Sequence, residues 1–494
     1  MATPIPNNAA RYSLRELLAV TGGTIRGPLE DAALEVVGIS TDSRSVRVGQ
    51  AFVALRGERF DGHEHLDDVA RRGASLAVVE RDVHAPGLTV LRVASTLEAL
   101  GRIAAFHLAR WRAETRGRVI AITGSAGKTT TKRAVSALLE ARVPGRVRAT
   151  AGNLNNLVGV PMTVLTLGAE TEVAVIEMGT NATGEIAKLA RIARPDVAVL
   201  TLIASAHSEG LGGLDGIERE KTALFRALDP QGVAIGNVDN ARVARGLAGT
   251  NAARCVGYGT GAEADYRVVA RRMAGTTRSV LVLARPDAPQ LEVATPLLGE
   301  AGALATAAAV ATVDALFEDH PLSASEVEAA LSPLAEEDDG PGRMKPRELA
   351  GDVLVLDDSY NANPASCRLS IASAAELAAS LGRPLVLVLG EMRELGHDRD
   401  AAHTELGEHA AASGARLLVA VGEVAELTMR RAKELGLESR HARNAEEAAR
   451  IACEAIRSGE VVLVKGSRGV RTEAVVGALA ARGVGPSEKA GVSS

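Results

Sequence analysis

A glycine-rich segment between an apolar run and a helix-like run constrains this chain more than any other feature. The apolar run VIAIT (119–123) precedes the segment, and a helix-like run from Lys132 to Ala141 follows it. The segment consists of Gly124, Ser125, Ala126, Gly127, Lys128, Thr129 and Thr130. Glycines let the backbone approach phosphate oxygens, and a helix N-terminus offers free N–H groups and the positive end of its dipole. The pattern predicts a phosphate-binding loop.

Two side chains of this loop would carry its chemistry. Lys128 would neutralise charge on the β- and γ-phosphates of ATP, and the Thr129 hydroxyl would bind Mg²⁺. Ile122 stands where the common eight-residue loop has its first glycine, so this is the shorter GxxGK[ST] form. The alternative is a glycine turn that happens to precede Lys-Thr. Both flanks favour the phosphate loop, because it requires a strand before it and a helix after it.

Composition excludes several classes of function. The chain has 494 residues, a net charge of −5 and only 2% aromatic residues, which are too few for rows of base-stacking side chains. We therefore expect no nucleic-acid partner. Three separated cysteines favour neither a disulfide framework nor a cysteine zinc site. The sequence shows no signal peptide and no long apolar stretch, so we expect a cytoplasmic protein without membrane insertion. We further expect it to act as a monomer.

The chain divides into three regions, which we predict to be domains at 1–115, 116–338 and 339–494. In the second and third regions, apolar strands alternate with helices; these strands are Val173 to Ile176, Val197 to Ile203, Val233 to Asn237, Val353 to Leu356, Leu385 to Leu389, Leu417 to Val421 and Val461 to Val464. Continuous apolar strands are typical of parallel sheets that are buried on both faces. We predict an α/β protein with an N-terminal α/β domain, a central parallel-sheet domain that carries the loop, and a C-terminal Rossmann-like domain. The stretch from Glu336 to Gly342 resembles a linker, and the residues from Gly483 onward a frayed tail.

Three further residues of the central region are candidates for chemistry. Glu177 follows an apolar strand, where a carboxylate could hold Mg²⁺ beside the loop or simply end the strand. His207 follows the next strand; a lone histidine is more often structural, but here it would share a sheet edge with an acid and a phosphate loop. Lys221 lies in a helix-like run and by itself is typical of a solvated lysine.

The C-terminal region presents polar groups after its first strand. The segment DDSYNANP (357–364) contains Asp358, Asn361 and Asn363. Polar groups at the carboxyl end of a strand suit a ligand crevice, although a polar turn before a helix has the same composition. These features alone leave a ligase, a kinase and a mechanical ATPase open.

The motifs resemble those of the Mur ligase family nearly end to end, from about Ile39 to Val476. The resemblance rests on TGSAGKTTT (123–131), EMG (177–179), Ala206-His207, DDSYNANP (357–364), GNLNNLVGVP (152–161), FVALRGERFDGHE (52–64), LGEMRELG (389–396) and LVKGSR (463–468). It implies an ATP-dependent amide ligation. The terminal carboxylate of a UDP-N-acetylmuramoyl tripeptide attacks the γ-phosphate, and D-alanyl-D-alanine then displaces phosphate from the acyl phosphate.

The resemblance also implies roles for individual residues. Lys128, Lys221, His207 and Arg343 would be catalytic. Lys221 would be carbamylated, so the resemblance replaces its interpretation as a solvated lysine. Two Mg²⁺ ions would be bound with the help of Thr129, Glu177, His207 and Lys221. The nucleotide would contact the loop residues together with Arg343, Asp358, Asn361 and Asn363. The UDP-linked substrate would contact Ser43, Arg44, Asn155 and Asn156.

Some positions depart from the family pattern. The run GEAGALA (299–305) replaces a segment whose polar side chains lie near adenine, and Leu202 and Ala223 replace an Asn and an acid. The resemblance therefore leaves the contacts to adenine open. Two alternatives remain. One is another amide ligase on this scaffold, similar to folylpolyglutamate synthase. The other is a non-catalytic nucleotide-responsive binding protein.

Overall fold

The fold was obtained as a computed structural model that describes residues 3–26, 34–58, 60–83, 85–205, 208–336 and 342–482. Within these residues three separate sheets of five, nine and six strands are each flanked by helices, beside one two-stranded pair. The α/β class with three layered units is confirmed. In the described part of the chain, no helix is long and apolar enough to cross a membrane. The predicted domain bounds remain a prediction.

The N-terminal unit is built on the five-stranded sheet. Its strands are β1 (Arg11–Ser13), β2 (Thr24–Arg26), β3 (Glu35–Val37), β4 (Ile39–Ser40), β5 (Ala51–Val53), β6 (Leu76–Val79) and β7 (Thr89–Arg92), and its helices are α1 (Leu14–Thr21), α2 (Leu66–Arg71) and α3 (Thr96–Thr115). The sheet order is β2-β7-β6-β5-β4, while β1 pairs with β3. Ser13 and Glu16 form a capping box that starts α1. Apolar side chains of α3 share one continuous core with the central unit.

The central unit carries the nine-stranded sheet. Its strands are β8 (Arg118–Thr123), β9 (Val147–Ala149), β10 (Val173–Glu177), β11 (Val197–Leu200), β12 (Val233–Asn237), β13 (Arg254–Gly259), β14 (Tyr266–Ala274), β15 (Arg278–Arg285) and β16 (Ala288–Thr295). Its helices are α4 (Lys128–Arg142), α5 (Gly159–Val164), α6 (Glu185–Ala193), α7 (Ser208–Leu211), α8 (Gly213–Arg226), α9 (Ala241–Ala248), α10 (Gly299–Leu316) and α11 (Ala324–Leu331). The order is β16-β15-β14-β13-β12-β11-β8-β10-β9. Strands β8 to β13 pair in parallel, so their carboxyl ends meet at one edge.

The C-terminal unit carries the six-stranded sheet. Its strands are β17 (Lys345–Leu349), β18 (Val353–Asp358), β19 (Leu385–Gly390), β20 (Leu417–Val421), β21 (Ser439–Ala442) and β22 (Val461–Lys465). Its helices are α12 (Pro364–Leu381), α13 (Arg399–Ala412), α14 (Ala425–Glu434), α15 (Ala445–Ala455) and α16 (Glu473–Ala481). The order is β17-β18-β22-β19-β20-β21, and only the edge strand β17 is antiparallel. This arrangement is the predicted doubly wound sheet.

The strand pattern differs from the predictions in several places, and the unpredicted strands include β9, β13, β17 and β21. Strand β11 ends at Leu200 rather than at Ile203, because the backbone of 201–204 turns to contact the glycine-rich loop. The antiparallel strands β14 to β16 extend the central sheet and were not predicted, because their residues alternate between buried and exposed instead of forming continuous apolar runs. The predicted linker includes 337–341 and the predicted tail begins at Gly483; both stretches lie outside the described residues.

Candidate active site

The glycine-rich loop leaves β8 and enters α4 in the conformation that a phosphate loop requires. Gly124 has φ +150°, and a Cβ there would lie 2.0 Å from Thr201 Oγ1, so no larger residue fits. Gly127 has φ +84° and is the N-cap of α4. The Lys128 ammonium donates a hydrogen bond to Gly124 O at 2.7 Å and so folds back over the loop. The N–H groups of α4 and a lysine thus converge on one point, as anion binding requires.

Glu177 lies beside this loop because β10 is the direct neighbour of β8. Thr129 Oγ1 donates to Glu177 Oε2 at 2.9 Å, and Asn155 Nδ2 donates to Glu177 Oε1 at 2.8 Å. Burial by itself raises the pKa of Glu177, but the Lys132, Lys128 and Arg343 cations more than offset it and hold that pKa below its usual range. The carboxylate is therefore ionised, as a ligand for a metal must be.

Lys132 is a buried cation that the sequence reading did not single out. Its ammonium donates to Thr150 O at 2.7 Å and to Gly152 O at 3.2 Å, and it lies 3.5 Å from Glu177 Oε2. Burial lowers its pKa, and Glu177 opposes that shift. Its position one helical turn after Lys128 was the available signal, because residues four apart share a helix face.

Lys221 is buried, with 3% of its surface exposed, so its interpretation as a solvated lysine is wrong. Burial and the nearby Lys128 cation lower its pKa well below the usual value, although the Glu220 and Glu185 carboxylates oppose this shift. The Glu220 carboxylate itself accepts hydrogen bonds from Gly184 N and Ile186 N and thereby caps α6. Lys221 thus faces the cavity with a weakened preference for the charged form.

The C-terminal unit reaches the loop through the segment after β18. Asn363 Nδ2 donates to Ser125 O at 3.2 Å, while its Oδ1 accepts from Ser366 N and caps α12. The Asp358 carboxylate accepts from Lys465 Nζ at 2.5 Å and from Ser370 Oγ at 2.6 Å. The Asn363 side chain therefore both starts α12 and joins the C-terminal unit to the central unit.

Arg343 is held above this segment by a stacking contact. Its guanidinium lies 3.8 Å from the centre of the Tyr360 ring, which is a close cation–π geometry. The next residue, Met344, has φ +57°, and its N–H donates to Asp358 Oδ1 at 3.2 Å. A left-handed backbone is uncommon for a residue other than glycine, so neighbouring contacts must stabilise it. Arg343 is close enough to influence the pKa values of Lys128 and Glu177.

One cavity of about 790 Å³ brings most of the predicted residues together. The predicted residues that line it are Ser125, Ala126, Gly127, Lys128, Thr129, Thr130, Asn155, Asn156, Glu177, Lys221, Arg343, Asp358, Asn361 and Asn363. Gly124 lies behind the loop against Thr201. His207 lies outside the described residues. Lys465, whose segment after a strand could from the sequence either bind an anion or merely cap the sheet, also lines the cavity, as does Tyr360, to which sequence reasoning gave no role.

Ser43 and Arg44 are not brought to this cavity. They lie in the turn after β4, where Arg44 makes a two-pronged contact with Asp42 at 2.9 and 2.8 Å. Arg44 is exposed and Ser43 half-buried. Neither Ser43 nor Arg44 therefore lines the cavity. Asn156, by contrast, lines the cavity and caps α5, because its Oδ1 accepts from Gly159 N at 2.8 Å.

Another part of the cavity wall is formed by the start of α10 and the residues before it. Leu297, Leu298, Ala301 and Ala305 line it there and offer no side-chain hydrogen-bonding groups, whereas Glu300 lines it with a carboxylate. Tyr258, Asn237 and Asn240 line the cavity as well. Asn240 already caps α9 through its Oδ1 and donates to Ile203 O. The cavity wall is thus charged at the phosphate loop, which we call the phosphate end, and, apart from Glu300, largely apolar at α10, which we call the α10 end.

Comparison with known proteins agrees with this geometry. Residues 35–108 match the Mur ligase family catalytic domain, residues 122–313 the Mur ligase middle domain, and residues 342–468 the Mur ligase glutamate ligase domain. The UDP-N-acetylmuramoyl-tripeptide–D-alanyl-D-alanine ligase of Escherichia coli is 36% identical over 405 residues, which cover 81% of this chain and 84% of that protein. The ligase of the same name from Bacillus subtilis is 30% identical, with 94% of this chain and 98% of that protein covered.

Comparison with solved structures indicates the same family. A crystal structure of MurF from Acinetobacter baumannii superposes with a TM-score of 0.82 at 31% identity and covers 96% of this chain and 99% of that one. MurF from Thermotoga maritima in complex with ADP gives a TM-score of 0.77 at 27% identity, with coverages of 90% and 97%. Fold and cavity define a phosphate-loop enzyme assembled from three α/β units. The chain belongs to the Mur ligase family, and it is an ATP-dependent ligase.

Proposed function

We propose that this enzyme joins D-alanyl-D-alanine to a UDP-N-acetylmuramoyl tripeptide at the expense of ATP, in the cytoplasmic synthesis of a peptidoglycan precursor. One observation carries the proposal: a single cavity gathers the phosphate loop, Glu177 and Lys221 from the central unit and the DDSYNANP segment from the C-terminal unit. The relatives at 30 to 36% identity that bear this ligase name support the choice of substrates. We propose that the enzyme acts as a monomer.

The reaction requires two displacements. A carboxylate oxygen of the tripeptide attacks the γ-phosphorus, the bond to the β-phosphate oxygen breaks, and ADP leaves. The dipeptide nitrogen then attacks the acyl carbon, the bond from carbon to the phosphate oxygen breaks, and phosphate leaves as the nitrogen loses a proton. Both steps gather negative charge on phosphoryl oxygens, so positioned cations lower the barrier. Lys128 and Arg343 are the residues that supply this stabilisation from the two units.

The residues present fit Mg²⁺. Thr129 and Glu177 offer a hydroxyl and an ionised carboxylate 2.9 Å apart beside the loop, and Mg²⁺ prefers such oxygen ligands. Among the described residues no group of three His, Cys, Asp or Glu side chains is placed to hold a metal ion by itself, so nucleotide phosphates and water would complete the coordination. When bound, the metal would neutralise phosphate charge. We propose two ions, with His207 and Lys221 as further ligands.

Lys221 is proposed to act as a carbamate. Its neutral amine would add CO₂, lose a proton and become an anion able to support the second Mg²⁺. Only the neutral amine reacts, and the lowered pKa of Lys221 favours that form. Because protonation competes with the addition, carbamylation should decrease as the pH falls through the pKa of this lysine and increase above it. Its buried position then protects the product from bulk water.

The remaining predicted residues are proposed to hold the substrates. Asp358, Asn361 and Asn363 would contact the nucleotide from the C-terminal unit. Asn155 and Asn156 would contact the UDP-linked tripeptide near the loop. Ser43 and Arg44 would contact the same substrate at the N-terminal unit, which a long nucleotide-linked peptide could reach from the cavity.

The test is turnover with each pair of substrates. Purified enzyme with Mg²⁺, ATP, a UDP-N-acetylmuramoyl tripeptide and D-alanyl-D-alanine should release phosphate and yield the UDP-linked pentapeptide by mass spectrometry. Release should require both acceptor and dipeptide. Equal product with glutamate or with free D-alanine would overturn the substrate assignment, and the absence of phosphate release with every pair would favour a binding protein instead.

A further inference from the structure

Lys132 lies behind the cavity wall, between the segment 150–156 and Glu177, and contacts both. It is 5% exposed and therefore contributes little direct contact to any ligand. Two of its contacts, Thr150 O at 2.7 Å and Gly152 O at 3.2 Å, belong to the segment 150–156. The third, Glu177 Oε2 at 3.5 Å, belongs to the carboxylate that Thr129 also binds. A buried ammonium is costly unless it is paired, so these three contacts must form together.

Other contacts tie the same two parts together around Lys132. Glu177 N donates to Thr150 Oγ1 at 3.0 Å, and Gly179 N donates to Asn155 O at 2.8 Å. Asn155 also donates through its side chain to Glu177 Oε1. The segment 150–156 and the end of β10 thus form one hydrogen-bonded unit. Among the described residues, Lys132 is the only cation that joins this segment to the end of β10, because the other hydrogen bonds between them have neutral donors.

We infer that Lys132 is a positioning residue that couples the segment 150–156 to the Glu177 carboxylate. This inference rests on the proposed function, in which Asn155 and Asn156 hold the acyl substrate and Glu177 and Thr129 hold the nucleotide with Mg²⁺. When the acyl substrate binds the segment, it holds Lys132 in place and through it the Glu177 carboxylate, and the nucleotide then binds more tightly. Thermodynamic linkage requires that the nucleotide increase the affinity for the acyl substrate by the same factor.

The coupling factor can be measured by calorimetry without turnover. The dissociation constant of the UDP-muramoyl tripeptide is determined with and without Mg²⁺ and a non-hydrolysable ATP analogue. Allosteric couplings are typically ~5- to 150-fold, so wild-type enzyme should show a ratio of at least about 5. In Lys132→Met, which keeps the length of the side chain and removes its charge, the ratio should fall to below about 2. Lys132→Gln, which can donate to the carbonyls without a charge, should also lose most of the coupling, whereas Lys132→Arg should retain part of it.

A matched control separates positioning from general stability. Arg285 forms an equally buried ion pair with Asp314 at 3.2 Å, and neither residue lines the cavity. Arg285→Met should lower the melting temperature but leave the coupling ratio at the wild-type value. A folded Lys132→Met or Lys132→Gln enzyme with the wild-type ratio would overturn the inference, as would a wild-type ratio of one. If wild-type enzyme fails to bind the tripeptide at all, the proposed function fails instead.

Discussion

The two ends of the active-site cavity are built on different principles. At the phosphate end each charged side chain has a fixed partner: Lys128 donates to Gly124 O at 2.7 Å, and Lys132 donates to Thr150 O at 2.7 Å and lies 3.5 Å from Glu177 Oε2. At the α10 end, Ala301 and Ala305 present methyl groups, Glu300 presents an exposed carboxylate, and the polar Asn240 is already used to cap a helix. One end places charge, and the other provides mainly shape and apolar surface.

This difference indicates where the enzyme gains its selectivity. Donors aimed at the charge that develops in the transition state each lower the activation barrier by several kcal/mol. Burial of a base against apolar surface, in contrast, contributes a similar binding free energy for different purines. We therefore expect substitutions at the phosphate end to have large effects on turnover. Substitutions at the α10 end should change the choice of nucleotide by small factors. The following predictions test this contrast in decreasing order of effect.

Replacing Lys128 should have the largest effect. Lys128→Ala removes the cation of the phosphate loop, and we expect kcat to fall by at least ~10³, which is typical of a lost electrostatic stabiliser. Steady-state phosphate release measures it. Lys188→Ala, on an exposed position of α6, is the control and should be close to wild type. A folded Lys128→Ala enzyme with near-wild-type turnover would remove this lysine from the mechanism.

Replacing Lys221 should have the next largest effect. Lys221→Ala removes the proposed carbamate, and we expect kcat to fall by about 10² because an anion beside the phosphate loop is lost. Acetate should restore part of the activity by occupying the vacated space, and it should not restore Lys128→Ala. Phosphate release with and without acetate measures both. Full activity of Lys221→Ala without acetate would mean that this buried lysine has no role in catalysis.

Tyr360 should have an intermediate effect through Arg343. Tyr360→Leu removes the ring that holds the guanidinium at 3.8 Å. A cation–π contact contributes ~0.5 to 2 kcal/mol, so kcat/KM for ATP should fall by about 2- to 30-fold. Tyr360→Phe keeps the ring and should remain within about twofold of wild type. Equal losses in the two variants would show that the hydroxyl, and not the ring, is what matters.

The sequence allowed the phosphate end to be predicted better than the rest. The loop is contiguous, and Glu177 follows a strand, so both could be found from local patterns. The burial of Lys221 could not, because α8 is amphipathic and only the packed structure shows that the face with Lys221 turns inward. The partnership of Lys132 with Thr150 depends on β9 pairing beside β10, which no local pattern indicates.

The fold was also predictable in part. Buried parallel strands such as β12 have continuous apolar sequences, and the structure places β12 at the predicted bounds, Val233–Asn237. Strands β15 and β16 expose alternate residues to solvent, and that pattern carries a weaker signal than a fully apolar run. The position of Ser43 and Arg44 away from the cavity also depends on how the units are arranged, which local sequence does not encode.

The smallest expected effect concerns the choice of nucleotide at the α10 end. Ala301 and Ala305 cannot donate or accept a side-chain hydrogen bond to the base. Because a buried hydrogen bond contributes only ~1 kcal/mol, or about fivefold in affinity, wild-type enzyme should use GTP with a kcat/KM within about tenfold of that for ATP. Ala301→Asn adds an amide where the base would lie and should change the ratio of ATP to GTP by about fivefold. Ala412→Asn, at an exposed helix end, is the matched control and should not change it. Strict selectivity for ATP in the wild-type enzyme would show that backbone groups or Asn237 read the base. The α10 end would then resemble the phosphate end, and the contrast between the two would be wrong.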